Sequence, residues 1–178
     1  MRNYNFFPKL ISTGMLSLVL GTLGVQVAEA QSRIFLLETT CVTTRTTNSF
    51  YTYWGSENRD IAVGREIYTS IMYIKNGDGF SCRLRDQNSA PKFQTLYLGF
   101  GIPDTEDIGE IVLTVYIDGN QLGYQTVSRG EAKTWPIDVK NARSVALEVT
   151  CSSRNCPNKL RFFEASLESI PSSPGGRN

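Results

Sequence analysis

Between residues 111 and 150 the chain alternates apolar and polar side chains in short runs separated by turns that need a positive φ. Ile111-Val112-Leu113-Thr114-Val115-Tyr116-Ile117 puts Leu113, Val115 and Ile117 on one face, and Val145-Ala146-Leu147-Glu148-Val149-Thr150 does the same with Val145, Leu147 and Val149. A period of two is the signature of a strand with one buried face, whereas a helix needs a period of 3.6. Asp118-Gly119-Asn120 separates the first run from residues 121–128 and supplies the positive φ of a tight hairpin. Asn76-Gly77-Asp78-Gly79 is a second turn signal, between residues 67–74 and 80–85. With residues 34–42, 93–100, 134–139 and 160–167 the count reaches about nine strands, with no sustained helical period. The fold class predicted is all-β, a sandwich or barrel whose inner faces bury the apolar sets.

Four cysteines, Cys41, Cys82, Cys151 and Cys156, read as two disulfides, for which three pairings exist. Cys151 with Cys156 is the easiest, because Ser152-Ser153-Arg154-Asn155 makes a short turn between them, and Cys41 with Cys82 then follows. A zinc site needs paired C-x-x-C motifs or added histidines, and the chain has no histidine at all. The same absence removes the commonest general base and the Ser-His-Asp and Cys-His arrangements. An enzyme built from these residues would have to work with carboxylates, lysine or tyrosine.

The amino terminus carries Arg2 and Lys9, an uncharged stretch over residues 10–28, and Ala28-Glu29-Ala30 before Gln31. That order is a secretory signal with an A-x-A cleavage site. A membrane anchor would want about 20 strongly apolar residues, and here serines, threonines and glycines dilute the run. The expected organisation is a signal peptide over residues 1–30, one β-domain over 31–169, and a disordered tail over 170–178, where Pro171, Pro174 and Gly175-Gly176 leave little to bury. The expected location is secreted: extracellular, periplasmic or at the cell surface, with no membrane insertion after cleavage. The chain has 18 basic and 17 acidic residues, so loss of Arg2, Lys9 and Glu29 leaves 16 of each. A neutral mature chain argues against nucleic acid or anionic membrane as partner.

Sugar-binding proteins set flat aromatic rings against the apolar faces of pyranoses and bond the hydroxyls with planar polar groups. The segment Phe50-Tyr51-Thr52-Tyr53-Trp54-Gly55-Ser56-Glu57-Asn58-Arg59-Asp60 holds both kinds of residue. Tyr51, Tyr53 and Trp54 are the stacking candidates; Glu57, Asn58, Arg59 and Asp60 are the bonding candidates. The competing reading has the aromatics plugging the core above a solvated loop. Trp135 divides in the same way between platform and core plug. Arg83 and Arg85 alternate around Leu84 and either point to solvent or line a shallow concave face. Asp104, Glu106, Asp107 and Glu110 cluster after Phe100-Gly101-Ile102-Pro103. No cofactor is expected, and the alternative is a structural calcium on these oxygens against plain solvation of an acidic loop.

From about residue 60 to 167 the chain resembles the NPCBM family, the carbohydrate-binding module associated with glycoside hydrolase family 98. The blocks that carry the resemblance are Val63-Gly64-Arg65-Glu66-Ile67-Tyr68, Phe93-Gln94-Thr95-Leu96-Tyr97-Leu98-Gly99-Phe100-Gly101-Ile102-Pro103-Asp104, Val112-Leu113-Thr114-Val115-Tyr116-Ile117-Asp118-Gly119-Asn120 and Ile137-Asp138-Val139-Lys140-Asn141-Ala142-Arg143-Ser144-Val145-Ala146-Leu147. The resemblance implies a galactose-binding-like jelly roll that binds extracellular or cell-surface polysaccharide through loops at one end, without catalysis. A structural or protein-interaction module of the cell envelope, with other envelope proteins as partners, is the alternative on the same fold.

Overall fold

The computed structural model describes residues 32–44, 54–107, 109–151 and 156–171. Among them eleven strands follow in order: β1 (Arg33–Phe35), β2 (Thr40–Thr43), β3 (Trp54–Val63), β4 (Glu66–Lys75), β5 (Gly79–Arg83), β6 (Phe93–Gly101), β7 (Glu110–Ile117), β8 (Asn120–Ser128), β9 (Ala132–Asp138), β10 (Ser144–Thr150) and β11 (Lys159–Ser169). The helical element among them is a single 3-10 turn at Leu36–Glu38. Residues 1–30, expected to be a signal peptide, residues 172–178 of the expected tail, Tyr51 and Tyr53 lie outside the described residues, whereas Ile170 is described and donates its N–H to the carbonyl of Lys92 at 3.0 Å.

The strands form two antiparallel sheets. One has the order β3-β4-β11-β6-β9, with β1 sharing the β4 flank of β11; the other has the order β2-β5-β10-β7-β8. Alternation decides which side chains meet between them. Leu113, Val115, Val145, Leu147 and Val149 have no exposed surface, and they pack with Met72, Ile74, Leu96, Phe100, Leu160 and Phe162 of the other sheet in one core. Each such side chain contributes about 1.5–3 kcal/mol relative to exposure. The all-β sandwich read from periodicity is the architecture observed.

Two differences raise the expected nine strands to eleven. The run at residues 34–42 is broken by the 3-10 turn, which drops Leu36 into the core and lets β1 and β2 join opposite sheets. The polar segment from Trp54 onward is a strand rather than a loop, because β3 lies at a sheet edge where outward polar side chains meet solvent.

Turn chemistry fixes the registers. Asp118 and Gly119 take φ of 50° and 82°, as a two-residue hairpin with both central residues left-handed requires. The Asp118 carboxylate then accepts bonds from the backbone N–H groups of Arg143 and Ser144, each at 2.9 Å, and so ties the β7–β8 turn to β10. Cys41 stands opposite Cys82 in the β2–β5 ladder and is bonded to it, with Cα atoms 4.1 Å apart; Cys151 is bonded to Cys156. The first bridge holds a four-residue edge strand whose own side chains bury little.

Because the Cys41–Cys82 bridge closes a separation of 41 residues and Cys151–Cys156 one of 5, chain entropy assigns them about 4 and about 2 kcal/mol. Denaturant unfolding of the two Cys→Ala double variants should show the larger loss for Cys41→Ala/Cys82→Ala; the reverse ranking would contradict this account.

Candidate functional site

The β3–β4 hairpin is longer than its seat. β4 pairs with β11 only over Met72–Lys75, so the rest of the hairpin runs past the sheet. Its tip is Gly64-Arg65, both left-handed, with φ of 60° and 70°. Asp104, in the loop after β6, clamps the tip by accepting the N–H of Gly64 at 2.8 Å and of Arg65 at 3.0 Å, while its own N–H donates to the carbonyl of Ala62. A Cβ on Gly64 would lie 2.7 Å from the carbonyl oxygen of Gly130, in the turn between β8 and β9, so only glycine fits there. Hairpin tip, β6–β7 loop and β8–β9 turn thereby form one rim.

Beneath that rim lies a buried ion cluster. An extra residue in β3 between Ser56 and Arg59 makes a bulge, which re-aims the local side chains. Glu57 accepts two bonds from one terminal nitrogen of Arg161, at 2.5 and 2.7 Å, and a short bond from the Ser70 hydroxyl. Arg161 is 5% exposed; its other terminal nitrogen is 3.9 Å from Glu106, and its Nε has no hydrogen-bond partner among the described residues. Glu106 also accepts the N–H of Asn158 at 3.2 Å. Burial alone would raise the Glu57 carboxyl, but the bonds from Arg161 and Ser70 and the Arg161 charge outweigh it and hold it below its ordinary 4.5. Lys159, lowered by burial and by the Arg161 charge, lies 4.1 Å over the ring of Tyr73.

Above the cluster opens a cleft of about 170 Å³, lined by Arg59, Asp60, Ile61 and Ala62 of β3, by Pro103, Thr105 and Glu106, and by Arg161. A shallower basin of about 470 Å³ continues beside it between Gly64, Arg65, Asp104 and Arg129. Fixed guanidinium and carboxylate planes facing one depression are suited to bonding pairs of hydroxyls.

The structure distributes the sequence candidates unevenly. Arg59 is exposed at the cleft, and Asp60 beside it accepts the Thr69 hydroxyl at 2.9 Å. Asn58 is exposed in the bulge. Glu57 sits under the cleft in the ion cluster, and Trp54 is half-buried with its ring 4.6 Å from Phe80. Trp135 is half-buried against the core, on β9. Of the acidic residues after Pro103, Asp104 holds the hairpin tip, Glu106 faces Arg161 and Asn158, and Glu110 accepts the Ser128 hydroxyl. Among the described residues no group of three or more His, Cys, Asp or Glu could hold a metal. Arg161, Arg65 and Arg129 were not singled out by the sequence. A charge flanked by Leu160 and Phe162 on β11 was the available signal for Arg161, but it reads equally as a solvent-facing residue.

No protein-family model matches the chain, and no curated protein matches it. Solved structures do. The tandem CBM51 modules of the family 98 glycoside hydrolase from Streptococcus pneumoniae SP3-BS71 superimpose with a TM-score of 0.64 at 11% identity, over 82% of this chain and 50% of that one. CBM51 from Clostridium perfringens GH95, in complex with methyl-galactose, gives 0.61 at 10% identity, over 76% and 99%. The CBM51-2 and INT domains of Clostridium perfringens ZmpB, in complex with GlcNAc, give 0.61 at 12% over 77% of this chain, which spans only 31% of theirs. The chain has the fold of a CBM51 module. At such identities the match is one of framework, and it agrees with the NPCBM-type, galactose-binding-like sandwich that the sequence blocks imply. The CBM51 fold here carries its rim cleft on the β3–β4 hairpin and the β6–β7 loop.

Removing one partner of a buried pair leaves the other charge unpaired, at about 3–5 kcal/mol; Glu57→Gln should therefore lower the unfolding midpoint sharply at pH 7. Since the folded Glu57 carboxyl lies below 4.5, its stabilisation is complete above about pH 4.5 and is lost as pH falls through the folded value. Stability should thus drop with acid in the parent and drop less steeply in Glu57→Gln, as measured by denaturant midpoints from pH 7 to pH 3. Equal acid slopes would remove Glu57 from the account.

Proposed function

We propose that the chain is a secreted, non-catalytic carbohydrate-binding module that holds a neutral glycan at the hairpin rim. The observation that carries this reading is the cleft in which exposed Arg59 stands over the Glu57–Arg161–Glu106 cluster. Rigid planar donors and acceptors are already in place there, so a sugar would not have to order them on binding. Charge argues for a neutral ligand: Arg59, Arg65, Arg129 and Arg161 are matched by Glu57, Asp60, Asp104 and Glu106 around cleft and basin.

The shared fold with CBM51 structures in complex with GlcNAc and methyl-galactose supports the ligand class. Tyr51, Tyr53 and Trp54 are proposed as the stacking residues leading into β3, with Glu57, Asn58 and Arg59 following. Five residue steps of strand lead from Trp54 to Arg59, about 16 Å, so stacking at one end and bonding at the other suits an oligosaccharide. Residues 1–30 act in this reading as the cleaved signal, residues 31–169 as the module and 170–178 as a tail. The two disulfides fit an oxidising compartment, whether extracellular, periplasmic or at the cell surface.

Titration of the mature chain with a panel of neutral mono- and oligosaccharides, followed by backbone amide NMR, tests the proposal. Shifts should concentrate at residues 57–62 and 103–106. Arg59→Ala should weaken binding about tenfold, the loss of a hydrogen bond from a charged group, with the unfolding midpoint unchanged. A panel that moves no rim resonance would overturn the reading.

A further inference from the structure

The outer face of the five-stranded sheet carries a second depression, on the opposite side of the core from β3. Cross-strand registers explain its shape. Val42, Ser81, Ala146 and Tyr116 form one row across β2, β5, β10 and β7, and Thr40, Arg83 and Ser144 form the next. The two central strands therefore present the small side chains of Ser81 and Ser144 to the depression, between taller neighbours. The result is a trough of about 420 Å³, within the roughly 300–1,000 Å³ of small-molecule sites.

Its charge is one-sided. Arg83, Arg85 and Arg143 line the trough against a single carboxylate, Asp118. That carboxylate is already engaged by two backbone N–H groups and the Ser144 hydroxyl. Its approach to Arg143 is 4.0 Å, with the Arg143 side chain 54% exposed. Arg83 meets Asp86 at 3.6 Å with both side chains mostly in water, a pairing of little strength. Arg85 is held rigidly by three backbone carbonyls, those of Ala142, Ser89 and Asn141. Its guanidinium has five N–H donors, so two remain, and no carboxylate balances its charge among the described residues.

We propose that this trough is a second saccharide site and that it takes a carboxylate-bearing sugar, a uronic acid residue of an acidic polysaccharide. The inference goes beyond the rim and stands without it. Guanidinium forks match a planar carboxylate in two parallel bonds. The Thr40 and Ser81 hydroxyls on the floor suit ring hydroxyls, and the exposed Val42 at one wall offers an apolar surface for a pyranose face. A bare anion would leave most of the volume empty.

Calorimetry and amide NMR on the mature chain with trigalacturonic acid, its fully methyl-esterified form and inorganic phosphate decide the matter. The acid should bind and shift residues 81–87 and 142–144, while the ester, with the same rings and no charge, binds at least about tenfold more weakly. Arg83→Ala and Arg143→Ala, both at exposed positions, should each weaken the acid about tenfold at an unchanged unfolding midpoint. Equal affinity for acid and ester, phosphate binding as tight as the acid, or shifts confined to residues 57–62 and 103–106 would each overturn the proposal. Binding of neutral sugars at the rim is read from different resonances, so one site can fail while the other stands.

Discussion

A guanidinium that is 5% exposed has to be neutralised where it stands, and Arg161 governs the positions of three separate segments. It sits in β11, which pairs with β1, β4 and β6 and so cannot shift. Glu57 reaches it through the bulge in β3, Glu106 through the β6–β7 loop, and Ser70 braces Glu57 from β4. With those contacts made, the hairpin lies where Asp104 can clamp its tip. The cleft above is a by-product of meeting that one electrostatic demand.

Period-two alternation made the sandwich legible because it is a property of adjacent residues, and the strands at residues 111–117 and 144–150 follow it closely. Asp118-Gly119 and Gly77 were legible for the same local reason, the positive φ each adopts. The disulfide pairing followed from loop length alone for Cys151–Cys156 and by remainder for Cys41–Cys82. Edge strands resisted this reading. β3 hides its apolar pair, Ile61 and Val63, at one end and shows polar residues elsewhere, so its sequence resembles a loop.

The site was legible only in part, since a composition argument finds candidates without their distances. The aromatic-polar segment did locate the strand that borders the cleft, and Arg59 is exposed there. Glu57 looked like its neighbours in sequence, yet a single extra residue in the ladder turned it under the rim, 104 positions away from its partner along the chain. Arg65 carries a further trace of the same geometry. A bulky residue in the left-handed region costs roughly 1–3 kcal/mol, and Asp104 offsets that strain by bonding its N–H.

Net charge was the most misleading number in the sequence. Neutrality rules out a surface that is basic throughout, but it averages over faces that never meet. Around the rim cleft and basin four arginines, Arg59, Arg65, Arg129 and Arg161, stand among four carboxylates, Glu57, Asp60, Asp104 and Glu106; on the five-stranded sheet Arg83, Arg85 and Arg143 share Asp118 alone within the trough. Arg143 is far in sequence from Arg83 and Arg85, and the β5–β10 pairing that places Ser144 opposite Arg83 brings them to one wall. Sheet register therefore converts a balanced composition into two chemically different surfaces, and the charge of each follows from which carboxylates the ladder leaves out of reach.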